Sequence, residues 1–254
     1  TKNTILIPYN NLDALERAFD ENKDQIAALI TEPAIGNAGC ILPKDNYLQK
    51  AKKIVSDHEA LLILDEVITG FRLALGGAQE YYNVDADIVT MGKIVGGGFP
   101  IGVIGARNEI MEHITPLGKV YNSGTFNGHP ISITAGIETI KIIKNENILP
   151  QIAEIGNNIQ KGIKDIVQDL NLNYTVNGAG PMYQVFFTDQ PVDDLVGAKK
   201  ADAKKFLKYC EILREKGIYL PPSQYETNFV SIAHTNEILA ETFEKIEDTL
   251  KELE

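Results

Sequence analysis

The sequence predicts an α/β fold with a mainly parallel sheet, followed by a smaller α+β domain. In the first half, amphipathic helical stretches alternate with short, continuous apolar stretches. This alternation is typical of parallel strands whose two faces are covered by helices. The pattern changes after residue 146, and 254 residues that are 44% hydrophobic suffice for one large core or two unequal ones. We therefore expect two domains, residues 1–146 and 147–254.

The first domain is expected to bring polar residues to one edge of its sheet. Ligands of parallel sheets lie beyond the carboxyl ends of the strands, where this sequence has Glu32, Asp65 and Lys93. The periodicity of apolar residues predicts helices at 11–22 and 46–58 and strands at 26–33, 60–67 and 86–93.

The second half changes from alternating elements to long helices and two extended stretches. A histidine–proline pair at residues 129–130 indicates where its first helix begins. The same rules predict helices at 130–147, 148–170, 198–217 and 236–254, and extended segments at 173–188 and 218–233.

Charge and cysteine content exclude several classes of function. The 35 acidic and 24 basic residues give a net charge of −11, which disfavours binding to nucleic acid or to an anionic membrane. No apolar run approaches the roughly 18 residues that span a bilayer. Cys40 and Cys210 are far apart and lie in no metal-binding motif. We expect two ordinary thiols, no metal site and a cytoplasmic location.

Lys93 stands out because it ends an apolar run and is followed by Gly96, Gly97 and Gly98 in "TMGKIVGGGFPIG". Such glycines allow close backbone approach or positive φ. The order is not that of a Walker loop, where the glycines precede the lysine, and Ile101 breaks the dinucleotide motif. Lys93 is therefore a candidate catalytic amine, and the simpler alternative is a solvated cation at a strand end.

Asp65 follows five apolar residues in "ALLILDEV", so its carboxylate needs a partner. A salt bridge to Arg72 or a cap on the following turn would be structural solutions. The functional alternative is pairing with the pyridinium nitrogen of pyridoxal phosphate (PLP), because PLP enzymes combine such an acid with a lysine that binds the cofactor covalently.

Four motifs resemble those of class III aminotransferases with the fold-type I PLP architecture: "TEPAIGNAG", "LILDEVITGFR", "TMGKIVGGGFPIG" and "YNSGTFNGHP". Together with the tail "IYLPPSQYETNFVSIAHT", they resemble most closely the aminomutase branch of this family. The likeness implies PLP and its amino form, pyridoxamine phosphate, as cofactors. It also implies that Lys93 binds the cofactor covalently and that Asp65 pairs with its pyridinium nitrogen. Residues 1–146 would be part of the PLP-binding large domain, and 147–254 the small domain.

The resemblance implies further cofactor contacts, some of them across a homodimer. Asn37 would lie near the phenolic oxygen of the ring, and Val67 would pack against the ring face. Gly124 and Thr125 would donate hydrogen bonds to the cofactor phosphate of the neighbouring subunit.

Two departures favour the aminomutase branch of this family. Asn37 stands where many ω-aminotransferases have a glutamate, and no arginine follows Arg214 to bind a substrate carboxylate. Glu226 matches the acidic residue near the active-site entrance, although it could be a solvated loop carboxylate. The implied reaction isomerises a small molecule, glutamate-1-semialdehyde, to 5-aminolevulinate in tetrapyrrole synthesis.

Two other interpretations stay open. One is an ordinary class III aminotransferase that uses a separate amino donor, and the other is a phosphate-binding module in which Lys93 only contacts an anion. The resemblance also implies that the family's upstream phosphate loop and ring-stacking aromatic lie outside this sequence. We therefore expect a fragment that is inactive alone. His58, His113, His129 and His234 fit no nucleophile or metal motif.

Overall fold

The computed structural model describes residues 2–254, which form two compact units. Unit 1 comprises the chain up to Ile7, Asn11–Pro33 and Asp45–Leu149. Unit 2 comprises Pro8–Asn10, Ala34–Lys44 and Pro150–Glu254. The division of the chain into domains 1–146 and 147–254 stays a prediction. The compact units separate near that point, but two short upstream segments belong to unit 2.

Unit 1 is an α/β structure, as predicted. Its sheet has the order β1-β2-β3-β4, in which β1, β2 and β3 are parallel and β4 runs antiparallel to β3. The strands are β1 (Ala28–Thr31), β2 (Leu61–Asp65), β3 (Ile88–Met91) and β4 (Val103–Ala106). The helices are α1 (Leu12–Glu21), α2 (Tyr47–Asp57), α3 (Gly77–Tyr82), α4 (Asn108–Met111) and α5 (Pro130–Asn145).

The central strand β2 shows why this sheet forms where the apolar run predicts it. Leu62 and Leu64 are fully buried, and β2 pairs in register with both of its parallel neighbours. At its start, the Leu62 amide donates a 2.8 Å hydrogen bond to the carboxylate of Asp87. Lys52 and Arg107 bind the same carboxylate at 2.5 and 3.1 Å. A buried charge is tolerated there because two cations and an amide compensate it.

Unit 2 is an α+β structure with an antiparallel sheet of order β5-β6-β7. Its core is formed by the sheet and by apolar faces of the long helices, including Ile163, Phe206, Leu213 and Leu250. The elements are α6 (Ile148–Asp169), β5 (Thr175–Ala179), β6 (Met182–Phe186), α7 (Leu195–Lys200), α8 (Ala203–Glu215), β7 (Asn228–Phe229) and α9 (Asn236–Leu253).

Two predictions for unit 2 were wrong in detail. The helix expected at 198–217 is interrupted, because the side chain of Asp202 caps a new helix by accepting from the amides of Lys204 and Lys205. The extended segment expected at 218–233 pairs with the sheet only at Asn228–Phe229. Pro221 and Pro222 lack amide donors for a ladder. The side chain of Gln184 binds the carbonyls of Gln224 and Glu226 in the segment that follows.

The two cysteines are free and buried, as expected for ordinary thiols. Burial raises the pKa of Cys40 to about 12 and that of Cys210 to about 11, so both are thiols at neutral pH. Within residues 2–254, no helix is long and apolar enough to cross a membrane.

Candidate functional site

The carboxyl ends of β1, β2 and β3 form one edge of the unit 1 sheet, which we call the sheet rim. Glu32 follows β1 directly, Asp65 is the last residue of β2, and Lys93 lies two residues beyond β3. Because the three strands are parallel and in register, these residues leave the sheet at the same edge. The predicted placement at this edge is confirmed.

Asp65 combines a structural bond with the ability to bind a ligand. Its Oδ1 accepts a 3.0 Å hydrogen bond from the amide of Val67, so the carboxylate caps the next turn. Arg72, the suggested salt-bridge partner, donates its Nε to the carbonyl of Ile68 at 2.7 Å. A carboxylate has about four acceptor positions. The cap therefore leaves Asp65 able to accept a charged N–H.

The adjacent Glu66 serves the fold, and sequence analysis did not identify it. The residue is fully buried. Its carboxylate accepts from the Thr69 hydroxyl at 3.0 Å and from the amides of Ala78 and Gln79 in the first turn of α3. Anions are stabilised at helix starts by these free amides. Of two neighbouring acids, the half-buried one lies at the rim and the buried one fixes a helix.

Lys93 has a constrained backbone and an exposed side chain. It opens the 3-10 turn Lys93–Gly96 with φ of +52°, in the left-handed region. That conformation costs a non-glycine residue about 1–2 kcal/mol. Within residues 2–254 the Lys93 amine makes no hydrogen bond or ion pair. Such strained residues cluster at functional sites, where surrounding packing enforces them.

The packing that fixes the Lys93 turn is a backbone contact with α5. A Cβ on Gly97, whose φ is +57°, would lie 2.6 Å from the carbonyl oxygen of Ala135. A Cβ on Gly136 would lie 2.1 Å from the carbonyl oxygen of Val95. Gly97 therefore combines the two properties expected of these glycines, since it has a positive φ and permits close approach to a helix of the same unit.

Val67 connects the Asp65 and Lys93 segments. A Cβ placed on Gly92, the residue before Lys93, would lie 3.5 Å from Cγ1 of Val67. The two segments are thus in van der Waals range of each other. The rim brings together a carboxylate, an apolar side chain and an amine.

Asn37 belongs to unit 2 and lies in a tight loop. Ile35 and Ile41 close this loop through backbone hydrogen bonds of 2.9 and 3.0 Å. The Thr227 hydroxyl donates to the carbonyl of Gly36 at 2.8 Å. The loop backbone is therefore fixed while the Asn37 side chain is exposed.

Glu226 lies in the same unit and directly precedes Thr227, whose hydroxyl binds the Asn37 loop. Its amide donates to the carbonyl of Ser223 at 3.0 Å, and its carbonyl accepts from Nε2 of Gln184 at 2.7 Å. The carboxylate is exposed and has no hydrogen bond or ion pair among the described residues. Thr227 thus brings the Glu226 segment and the Asn37 loop together.

Gly124 and Thr125 lie in unit 1, in the exposed stretch before α5. The amide of Asn127 donates to the carbonyl of Gly124 at 3.0 Å, which closes a turn. Their role towards the phosphate of a neighbouring subunit stays a prediction. His129 precedes the first residue of α5 without a side-chain capping hydrogen bond, and His58 stacks on Phe19 with ring centroids 4.6 Å apart. Among residues 2–254, no group of three His, Cys, Asp or Glu side chains could hold a metal ion.

The sequence of this chain is similar to those of known proteins. The family model for aminotransferase class-III matches residues 3–253. The glutamate-1-semialdehyde 2,1-aminomutase of Methanothrix thermoacetophila is 50% identical over 98% of this chain and 57% of its own length. That of Methanocaldococcus jannaschii is 48% identical over 100% of this chain and 59% of its own length. The chain therefore spans about three fifths of these curated relatives.

Solved structures give the same fold at lower identity. An ω-transaminase from Sphaerobacter thermophilus superimposes with a TM-score of 0.90 at 24% identity, over 98% of this chain and 57% of the other. A glutamate-1-semialdehyde aminomutase from Pseudomonas aeruginosa PAO1, in complex with PMP, superimposes with a TM-score of 0.88 at 23% identity, over 99% and 57%. With the family match over nearly its whole length, this chain belongs to the class III aminotransferases.

Proposed function

We propose that this chain takes part in the isomerisation of glutamate-1-semialdehyde to 5-aminolevulinate by a PLP-dependent aminomutase. The observation that carries the proposal is the identity of 50% and 48%, over practically the whole chain, with two relatives that are named for this activity. The sheet rim supports it because its residues have the chemistry that PLP requires. We further propose a cytoplasmic homodimer that acts on this small molecule.

The residues at the rim fit the cofactor. When bound, PLP supplies an electron sink for a substrate carbanion and a carrier for the amino group. The Asp65 carboxylate would hold the proton of the pyridinium nitrogen by a charged hydrogen bond. Val67 would pack on the ring, and the Lys93 amine would bind the cofactor covalently.

Other proposed contacts come from outside the rim. Asn37 would donate its side-chain amide to the phenolic oxygen of the ring. Gly124 and Thr125 would bind the phosphate that belongs to the partner subunit. Each has a local geometry compatible with this role, since Asn37 is exposed on a fixed loop and the other two lie on an exposed turn.

Lys93 would also transfer protons. Once its Nζ is neutral, it would move protons between cofactor and substrate carbons as a general acid–base. Glu226 would disfavour entry of a second dicarboxylate by charge repulsion. Because no arginine follows Arg214, the terminal part of the chain offers no bidentate partner for the carboxylate of a separate amino donor.

The covalent role of Lys93 can be tested by borohydride reduction of the PLP-loaded, full-length protein. Reduction should fix the cofactor to the peptide that contains Lys93. Lys93→Ala should remove this label, whereas Lys53→Ala, a change on the exposed face of α2, should leave it in place. A label on another lysine would refute the assignment. No label from protein that retains PLP would favour the phosphate-binding alternative.

The choice between mutase and aminotransferase rests on the fate of the amino group. An aminotransferase releases a keto product and needs a second amino donor, whereas a mutase keeps both nitrogens on one carbon chain. Full-length protein given only glutamate-1-semialdehyde should form 5-aminolevulinate over many turnovers. Product that stops at about one equivalent per cofactor, and resumes on addition of an amino acid, would establish the aminotransferase.

A further inference from the structure

Gln184 is a buried amide in the middle of β6 that binds a segment outside the sheet. Its Nε2 donates to the carbonyls of Gln224 and Glu226 at 2.9 and 2.7 Å. Its Oε1 accepts from Nδ2 of Asn228 at 2.8 Å and from the amide of Val185 at 3.0 Å. Both donors and both acceptor positions of this amide are therefore used.

These bonds take the place of a missing backbone ladder. The β6–β7 pairing consists of Met182 with Phe229 and Tyr183 with Asn228, and it ends before Gln184. From there the chain of residues 223–227 leaves the strand register. The Gln184 side chain reaches two carbonyls of that segment that β6 does not pair by its backbone.

Two further buried side chains complete what we call the amide network, made of Gln184, Gln224, Thr227 and Asn228. Nε2 of Gln224 donates to the carbonyl of Ala198 at 2.9 Å, and Thr227 binds the Asn37 loop as described above. A Cβ on Gly39 would lie 2.6 Å from the carbonyl oxygen of Gln224, so the loop and the segment touch directly. All four network side chains are at most 4% exposed.

We propose that Gln184 is a positioning residue that sets the place of Glu226 and, through Thr227, of the Asn37 loop for substrate binding. This inference rests on the proposed function, which gives Glu226 and Asn37 their roles. Gln184 binds the Gln224 and Glu226 segment through its backbone carbonyls. It leaves the Glu226 carboxylate and the Asn37 amide exposed while it removes freedom from their main chain, which is how a rigid support orients reacting groups.

The test replaces Gln184 by methionine in the full-length, PLP-loaded protein. Methionine has a similar volume but cannot bind the Gln224 and Glu226 carbonyls. We expect the KM for glutamate-1-semialdehyde to rise on the order of tenfold, the size of one or two lost hydrogen bonds, with a smaller change in kcat. Amide hydrogen exchange should accelerate at residues 223–228 and 35–41. Glu226→Gln removes the carboxylate charge but keeps the backbone carbonyl that Gln184 binds, so it should leave the exchange at residues 223–228 unchanged.

Gln160→Met is the matched control. Gln160 is also buried in unit 2, and its Nε2 donates to the carbonyl of Gly180 at 2.8 Å, in the turn between β5 and β6. This variant should lower the stability of the protein without changing the KM or the exchange at residues 223–228. If both glutamine variants lower stability alike and neither changes the KM, Gln184 is structural only and the inference is wrong.

Two further outcomes are distinguishable. If Gln184→Met does not fold, Thr227→Val removes one anchor of the Asn37 loop, and an unchanged KM with unchanged exchange at residues 35–41 would overturn the inference. If the unmodified protein forms no 5-aminolevulinate, the proposed function fails and the inference fails with it. Active unmodified protein beside a Gln184→Met variant of unchanged KM overturns the inference alone.

Discussion

The two units hold their candidate residues in different ways. In unit 1, Asp65 and Lys93 extend from a parallel sheet whose backbone bonds fix them at one rim. In unit 2, Asn37 and Glu226 lie on loops whose backbone carbonyls accept hydrogen bonds from buried side chains. Regular backbone pairing has a periodic signature in the sequence, and a network of amides has none. The first kind of site can therefore be located from a pattern, and the second needs coordinates.

The largest predicted effect is a loss of stability and of cofactor binding when the contact that fixes the Lys93 turn is disturbed. Gly97→Ala would add a Cβ 2.6 Å from a carbonyl oxygen at a φ of +57°. Strain and overpacking together should destabilise the protein by about 2–4 kcal/mol. The turn should also become mobile, so cofactor binding should weaken. Thermal unfolding and PLP titration would measure the two effects.

Gly98→Ala is the matched control for this prediction. Gly98 also has a positive φ, +91°, but a Cβ there meets no atom within 4 Å. The substitution should cost only the backbone strain, about 1–2 kcal/mol. Equal losses at Gly97 and Gly98 would show that packing on α5 does not hold the turn.

The neighbouring acids of β2 should separate function from stability. Asp65→Asn should leave the unfolding temperature nearly unchanged and reduce turnover about 10–100-fold, since a charged hydrogen bond contributes roughly 1.5–3 kcal/mol. Glu66→Gln should lower the unfolding temperature and leave the turnover of the folded protein nearly unchanged. The reason is that one of its buried acceptor oxygens becomes an N–H group that faces donors. Undiminished turnover in Asp65→Asn would make Asp65 a structural cap only.

Asp65 and Glu66 show how much of the candidate site could be predicted from the sequence. The apolar run at residues 60–64 located Asp65, because a buried strand must end in residues that can meet solvent or a partner. Nothing in that run distinguished Glu66, whose partners in α3 lie 12 and 13 residues further along. The fold class and the rim were predictable for this reason, and the burial of Glu66 was not.

Unit 2 was less predictable because its decisive contacts are distant in sequence. Gln184 lies 40 residues from Gln224 and 42 from Glu226. A glutamine within a strand pattern ordinarily indicates a solvent-facing position, whereas this one is fully buried. The resemblance to a family located Asn37 and Glu226. It gave no reason why their backbones are fixed.

The smallest predicted effect is on the stability of the protein at acidic pH. It follows from the kinds of group that each unit buries. The amide network of unit 2 is neutral at every pH of interest, but unit 1 buries the charged Asp87. Burial raises the pKa of Asp87. This effect is outweighed by the hydrogen bonds from Lys52 and the Leu62 amide and by the positive charges of Lys52 and Arg107, which lower the pKa. The net pKa lies below its ordinary value.

A carboxyl group with a lowered pKa in the folded state stabilises the fold above its unfolded pKa, and this contribution disappears as the pH falls through the folded pKa. At pH 7, Asp87→Asn should therefore reduce the free energy of unfolding by about 1 kcal/mol. The difference from the unmodified protein should shrink as the pH falls below the ordinary range of an aspartate pKa, and vanish below the folded pKa. Asp57→Asn, at an exposed pair with Lys53 on α2, should change little at either pH. Urea unfolding across this range would measure the differences, and a constant deficit for Asp87→Asn would show that its charge does not contribute.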